Sequence, residues 1–263
     1  MRLRIPLNQT GIGIVELVVV MTLTLAFSGM VISFALDYWG ASTTLKNDSE
    51  TFVTRQNLGD ILRDRLNVAS GLIMQNSIPD VHATVPDPGD VSGSHWLIQH
   101  AVPKTISLPS SGQYTPVVYY TAPSTNTSKA PIMNGSLLYY DEFVLYLNGS
   151  TRQLLLRNLI NPATIGSNSL RTTCPKSAAT TSCPEEKVVA TDVTSVSTRY
   201  FSRSGNLIDW TAVIDPLTGE NIGPDFPSVE VVELTINLGR KAIIKGAQDT
   251  TNQTIVRVAL RNG

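Results

Sequence analysis

The sequence predicts an α+β fold: a long N-terminal helix, apolar enough to span a membrane in its first half and amphipathic in its second, packed on an antiparallel β-sheet head. Three observations predict it. Residues 12–36 are an unbroken run of apolar, small and hydroxylated side chains interrupted only by Glu16. Phe52, Leu58, Ile61, Leu62, Leu66, Ala69, Leu72 and Ile73 then recur mostly at steps of three and four, the period of a helix with one buried face. Beyond residue 94 come short Val-, Ile-, Tyr- and Thr-rich segments separated by Gly, Pro and Asn, the pattern of strands and turns.

Residues 1–11 are a short polar leader carrying Arg2 and Arg4. Residues 12–36 exceed the ~20 apolar residues that cross a bilayer as a helix. A lone carboxylate there costs roughly 2.5–3.5 kcal/mol on insertion scales, so Glu16 needs a partner and a task. Arg2 and Arg4 before the run and Asp37 after it orient the remainder away from the cytoplasm, and Tyr38 and Trp39 fall where interfacial aromatics are expected. A secretory signal peptide would place its cleavage site after the apolar region, and this run is too long for such a region, which has about 7–15 residues.

Residues 37–77 read as the outward continuation of the helix, with Asp60, Arg63, Asp64 and Arg65 opposite the apolar stripe. Gly40 and Gly59 each weaken it by about 1 kcal/mol relative to Ala. Pro79, Pro86 and Pro88 end it, and residues 78–263 form the β-rich head, long enough for its own core. Strands are expected at 95–100, 116–122, 137–147, 153–159, 188–195, 196–202, 229–238 and 255–260. Asn148-Gly149 marks a hairpin. The connections 121–134 and 161–186 read as surface excursions suited to subunit contacts.

Removing a leader with two arginines takes the formal net charge from −1 to −3, so no basic surplus points to nucleic acid. Cys174 and Cys183 are the two cysteines; an even count in an exported chain favours a structural disulfide over a free thiol pair, worth on the order of 2–3 kcal/mol for so short a loop. Their spacing is neither a metal pattern nor a redox Cys-x-x-Cys. The histidines, His82, His95 and His100, make no helical metal pair, and no motif anchors a catalytic reaction. Asp87, Asp90, Asp215, Glu220 and Asp225 lie in Pro/Gly loops without the ligand spacing of a calcium loop and read as turn carboxylates. The Asn-x-Ser/Thr triplets at Asn126, Asn134 and Asn148 read as chance in a Ser/Thr-rich chain.

The heptapeptide Gly11-Ile12-Gly13-Ile14-Val15-Glu16-Leu17, leading into an unbroken apolar helix, resembles the N-terminal signature of type IV prepilins and type II secretion pseudopilins. The resemblance implies a pilin-like fold and cleavage after Gly11 by prepilin peptidase. Ile12 then becomes an N-methylated first residue, where the family usually has Phe, and Glu16 the fifth. A buried charge paired with a neighbouring subunit's terminus fixes axial register, the role implied for Glu16. Major pilins often carry a proline midway through this helix; none occurs between Pro6 and Pro79, which favours a minor pilin or pseudopilin. Val144-Leu145-Tyr146-Leu147 followed by Leu154-Leu155-Leu156-Arg157 resembles paired strands of the larger minor pilins. Val193-Thr194-Ser195-Val196, Arg199-Tyr200-Phe201, Trp210, Phe226-Pro227-Ser228-Val229 and the closing 256–262 resemble the C-terminal half of J-type pseudopilins.

The implied function is that of a structural minor subunit of a type IV pilus or type II secretion pseudopilus, not an enzyme and without cofactor or metal. The implied partners are prepilin peptidase, other major and minor pilins or pseudopilins, an inner-membrane assembly platform and membrane lipid, with no nucleic acid. The implied location is the cytoplasmic membrane, single-pass with the head extracytoplasmic, and then the filament. The alternative is a membrane-anchored surface adhesin or binding module. An anchored extracytoplasmic hydrolase is a third class, for which the sequence nominates no nucleophile.

Overall fold

The structure, a computed structural model, describes residues 13–73, 76–83, 104–111, 113–166, 169–208, 229–240 and 250–260. The leader with Gly11 and Ile12, the expected strand 95–100, His95 and His100, the loop carboxylates Asp87, Asp90, Asp215, Glu220 and Asp225, and Trp210 and 226–228 lie outside them. The chain divides into two units, Met1–Asp48 with Lys241–Thr250, and Ser49–Arg240 with Thr251–Gly263. The second is the head.

Helix α1 (Ile14–Leu66) runs through both Gly40 and Gly59 without a break. Its described part in the first unit is apolar and exposed, with Ile14, Phe27 and Phe34 each at least 70 % accessible. Thr22 and Thr24 donate their hydroxyls to the Val19 and Val20 carbonyls one turn back, so neither leaves a donor without a partner where water is absent.

In the head the amphipathic reading holds from Leu58 onward. Leu58, Leu62 and Leu66, one turn apart, are buried, while Asp60, Arg63 and Asp64 are exposed. Phe52, assigned to the same stripe, is 55 % exposed and does not belong to the core. The helix also ends earlier than the expected residue 77. Asn67 N–H makes the last helical bond, to Arg63, and Ser70 and Ile73 instead donate to the carbonyls of Thr121 and Tyr119. Residues 71–72 thereby become a strand, β1 (Gly71–Leu72). Ala69 and Leu72 stay buried, but Ala69 in the connection after the helix and Leu72 on the strand. Periodicity cannot separate helix from strand over so few residues, and the open edge of a neighbouring strand decides.

The remaining strands are β2 (Lys104–Ser107), β3 (Tyr114–Pro123), β4 (Met133–Asn134), β5 (Leu137–Leu138), β6 (Tyr140–Asn148), β7 (Gln153–Leu159), β8 (Lys187–Ala190), β9 (Val193–Phe201), β10 (Val231–Arg240) and β11 (Thr250–Ala259). They form two main sheets rather than one, in orders β1-β3-β6-β7-β8 and β11-β10-β9-β2, with β4-β5 a separate hairpin. The pairings β1-β3, β3-β6, β6-β7, β7-β8, β9-β10 and β2-β9 are antiparallel. The switch between sheets falls at Asp192, whose φ of 57° ends the extended run and whose carbonyl accepts from Gly239. The strand boundary expected between Ser195 and Val196 therefore moves to 191–192, and Val193 to Phe201 is continuous. The run 137–147 is divided at Tyr139, which exchanges backbone bonds with Ile132 and Ser124 at the base of the hairpin.

One core joins Leu58, Leu62 and Leu66 of the helix to Tyr120, Phe143, Leu145 and Leu156 of the first sheet and Val196, Leu234, Ile236 and Val256 of the second. The rings of Tyr120 and Phe143 stack at 5.1 Å. A smaller cluster of Tyr119, Val144, Tyr146, Leu155 and Leu159 covers the other face of the first sheet, under Ile73, Ile78 and Ala83. Both faces of β6 are consequently buried, which is why it reads as a continuous apolar run rather than an alternating one.

Candidate functional site

Glu16 is the only charged side chain in the apolar first part of α1, and the helix places it at the third position, with Gly13 as the residue before the first turn. Its Oε2 accepts the Gly13 N–H at 3.3 Å. This is one arm of a capping box: a helix-start N–H without an intrahelical acceptor is satisfied by a carboxylate one turn on. The same carboxylate sits at the positive end of the helix dipole. In the single chain Glu16 thus serves its own helix terminus.

The helix from Ile14 is long and apolar enough to cross a membrane; the most apolar window has a mean hydropathy of 2.2 and no part of it is buried. At 1.5 Å per residue, 14–36 is about 35 Å long, against a hydrocarbon core of about 30 Å. A helix apolar on all sides is of the kind found in the core of a large protein or across a membrane.

The head holds a second concentration of charge. Arg157 on β7 is fully buried; its Nη1 donates to Asp80 Oδ2 at 2.9 Å and to the His82 carbonyl at 2.6 Å, and its Nε and Nη2 donate to Glu186 Oε2 at 3.1 and 2.8 Å. Burial alone would lower the guanidinium pKa, but the flanking carboxylates of Asp80 and Glu186 outweigh it and hold the group above its usual value. Glu142 on β6 accepts from the Ser77 N–H (3.1 Å) and hydroxyl (2.6 Å), the Ile78 N–H (3.1 Å) and the Tyr119 hydroxyl (2.5 Å). Burial, with Glu142 beside it, pushes the Tyr119 phenol well up. These two constellations fasten residues 76–83 onto the outer face of the first sheet. His82 takes part through its backbone, and no group of three or more His, Cys, Asp or Glu side chains among the described residues could hold a metal.

Cys174 and Cys183 form a disulfide with Cα atoms 5.6 Å apart. The bridge closes a loop whose backbone is already ordered: Cys174 N–H donates to Pro184, Glu186 N–H to Cys174, and Thr180 N–H to Cys183. Thus the excursion 161–186 is not merely surface, because it delivers Glu186 to Arg157. An open depression of about 450 Å³ is lined by Ser70, Ser77, Thr121, Tyr140, Glu142 and Asn161, among others. Its one carboxylate, Glu142, already carries four hydrogen bonds.

The structure separates the predicted residues into three groups: Glu16 at the helix start, the Cys174–Cys183 bridge in the head, and Gly11 and Ile12 outside the described residues. Sequence reasoning missed Asp80, Glu142 and Glu186. The available signal was Asp141-Glu142 between Tyr140 and the apolar run from Phe143, since charges inside a strand buried on both faces must have partners. The chain has no significant match to a family model, a curated protein or a solved structure.

Proposed function

We propose that this chain is a structural minor subunit of a type IV pilus or type II secretion pseudopilus, processed after Gly11 and assembled through its N-terminal helix. The observation that carries the reading is an exposed apolar helical segment, 14–36, whose lone acid, Glu16, sits at the helix's third position and caps its start. In a bundle of such helices the α-amino group of Ile12 from one subunit and Glu16 from a neighbour neutralise each other, exchanging an intramolecular cap for an intermolecular ion pair. That pair sets axial register because a slipped register leaves both charges buried and unpaired. The all-apolar surface supplies lateral packing, and the head supplies partner specificity.

Mass spectrometry of the mature N-terminus tests the processing step: the expected chain begins at a methylated Ile12, and an intact Met1 or a start beyond Leu36 overturns the reading. Two substitutions separate the cap from the charge. Glu16→Gln keeps an oxygen to accept the Gly13 N–H but cannot pair with an ammonium, whereas Glu16→Ala loses both. Both are expected to insert into the membrane normally and to enter filaments poorly; wild-type incorporation of Glu16→Gln would remove the register argument.

A further inference from the structure

The tripeptide Asn-Gly-Ser occurs twice in the described head, at residues 134–136 and 148–150, and the fold treats the two copies differently. At the second copy, Asn148 Oδ1 accepts the N–H groups of Ser150 (2.9 Å) and Thr151 (3.3 Å), and Gly149 N–H donates to the Gln113 carbonyl (3.0 Å). Gly149 is also wedged: a Cβ there would lie 2.3 Å from the Pro109 carbonyl oxygen. At the first copy, Asn134 and Gly135 are exposed, and among the described residues neither the Asn134 side chain nor the Gly135 N–H has a hydrogen-bond partner. Gly135 occupies the first central position of the two-residue β4-β5 turn with φ 61°, and nothing lies within 4 Å of where its Cβ would be. The ribbon has only two residue pairs, Met133 with Leu138 and Asn134 with Leu137, so it opens locally at little cost.

We propose that Asn134 is a site of spontaneous covalent modification, deamidation through a succinimide, and that Asn148 is protected from it by the fold. The Gly135 backbone nitrogen attacks Asn134 Cγ, the Cγ–N bond to the side-chain amide breaks, and ammonia leaves carrying the Gly135 amide proton. One water then opens the ring, at the main-chain carbonyl to give isoaspartate or at the side-chain carbonyl to give aspartate. The sum is amide plus water to carboxylate plus ammonium, the acid's proton passing to the released ammonia, with no oxidant or cofactor. The reaction needs an unbonded nitrogen and freedom to rotate the Asn backbone, both of which the hairpin tip offers. At Asn148 the nitrogen is engaged, the side-chain oxygen is occupied twice and the backbone is locked. The product places a negative charge beside exposed Met133, Leu137 and Leu138, so the apolar hairpin tip becomes acidic as the protein ages.

Because the two tripeptides are identical, the chain carries its own control. The full-length protein in detergent is held in mildly alkaline buffer at body temperature, and peptides spanning each site are followed by mass spectrometry with enzymatic isoaspartate labelling; a parallel sample is kept in denaturant. The expected result is deamidation at Asn134 at least about tenfold faster than at Asn148 in the folded protein, the factor supplied by ~1.4 kcal/mol in opening free energy, with the rates converging in denaturant. Equal rates in the folded protein, faster reaction at Asn148, or a difference that persists in denaturant would each overturn the proposal.

Discussion

Arg157 is the largest fully buried side chain among the described residues, and its surroundings show why a charge can sit there. Two carboxylates and a backbone carbonyl take its donors, and the ring of Tyr146 lies 5.8 Å away. Removing one member of such a set leaves the others charged and desolvated. Arg157→Ala should therefore lower the unfolding free energy by about 3–5 kcal/mol, measured by urea denaturation, far more than truncation of an exposed arginine. Asp141 makes a pH prediction. Its Oδ1 accepts from Ser124 (2.6 Å) and the Asn161 N–H (3.0 Å), but its buried Oδ2 has no partner among the described residues. Burial raises its pKa, those two hydrogen bonds pull it down, and Glu142 next to it adds to the rise. A carboxyl raised in the folded state contributes stability that is fully present below its unfolded pKa, about 3.9, and is lost as pH rises through the folded value. The difference in stability between wild type and Asp141→Asn should therefore move in favour of the variant as pH rises from about 4, then level off. A pH-independent difference would show that Asp141 does not titrate between the two states.

Among the elements, strand β7 was legible residue by residue and the existence of the β6-β7 hairpin was legible without its bounds, because Asn148-Gly149 and the Leu-rich run are local signals. The loop is longer than that dipeptide suggests, with Asn148 paired to Gln153 and Arg152 at φ 54°. Gly149 is needed for clearance against Pro109 rather than for its own dihedral, a requirement set by a segment distant in the chain. Gly149→Ala is expected to cost about 1–3 kcal/mol, the range for forced overpacking, and to shift the thermal midpoint down. The α1 stripe was half legible. Leu58, Leu62 and Leu66 meet the core, so Leu62→Ala should cost about 2–5 kcal/mol in denaturant unfolding, whereas Phe52→Ala should cost well under 1 kcal/mol. Phe52 was assigned to the same stripe, yet more than half of its surface is exposed.

At the scale of the whole molecule, the apolar segment 14–36 and the core of the head draw on different residues: among the described residues, the core takes from α1 only Leu58 and those after it. A chain comprising residues 37–263 should accordingly be soluble without detergent and unfold cooperatively, with a thermal midpoint close to that of the full chain's head. A loss of cooperative unfolding would mean that the apolar half of α1 contributes to the fold of the head. Reducing the Cys174–Cys183 bridge under native conditions should lower stability by about 2–3 kcal/mol, partly by loosening the strand entry that presents Glu186 to Arg157.

The sequence by itself determined the class of fold, the extent of the apolar helix, the solitary acid in it and most strand positions, because each rests on residue type and spacing within a dozen neighbours. Only the tertiary structure decided that α1 stops at Leu66, that the head has two sheets meeting at Asp192, that Arg157 is buried between Asp80 and Glu186 while Glu142 holds Ser77, Ile78 and Tyr119, and that two identical Asn-Gly-Ser triplets differ in exposure. The physical reason is common to all four. Each depends on which backbone or charge from far along the chain arrives at a strand edge or a buried face, and no local pattern encodes that partner.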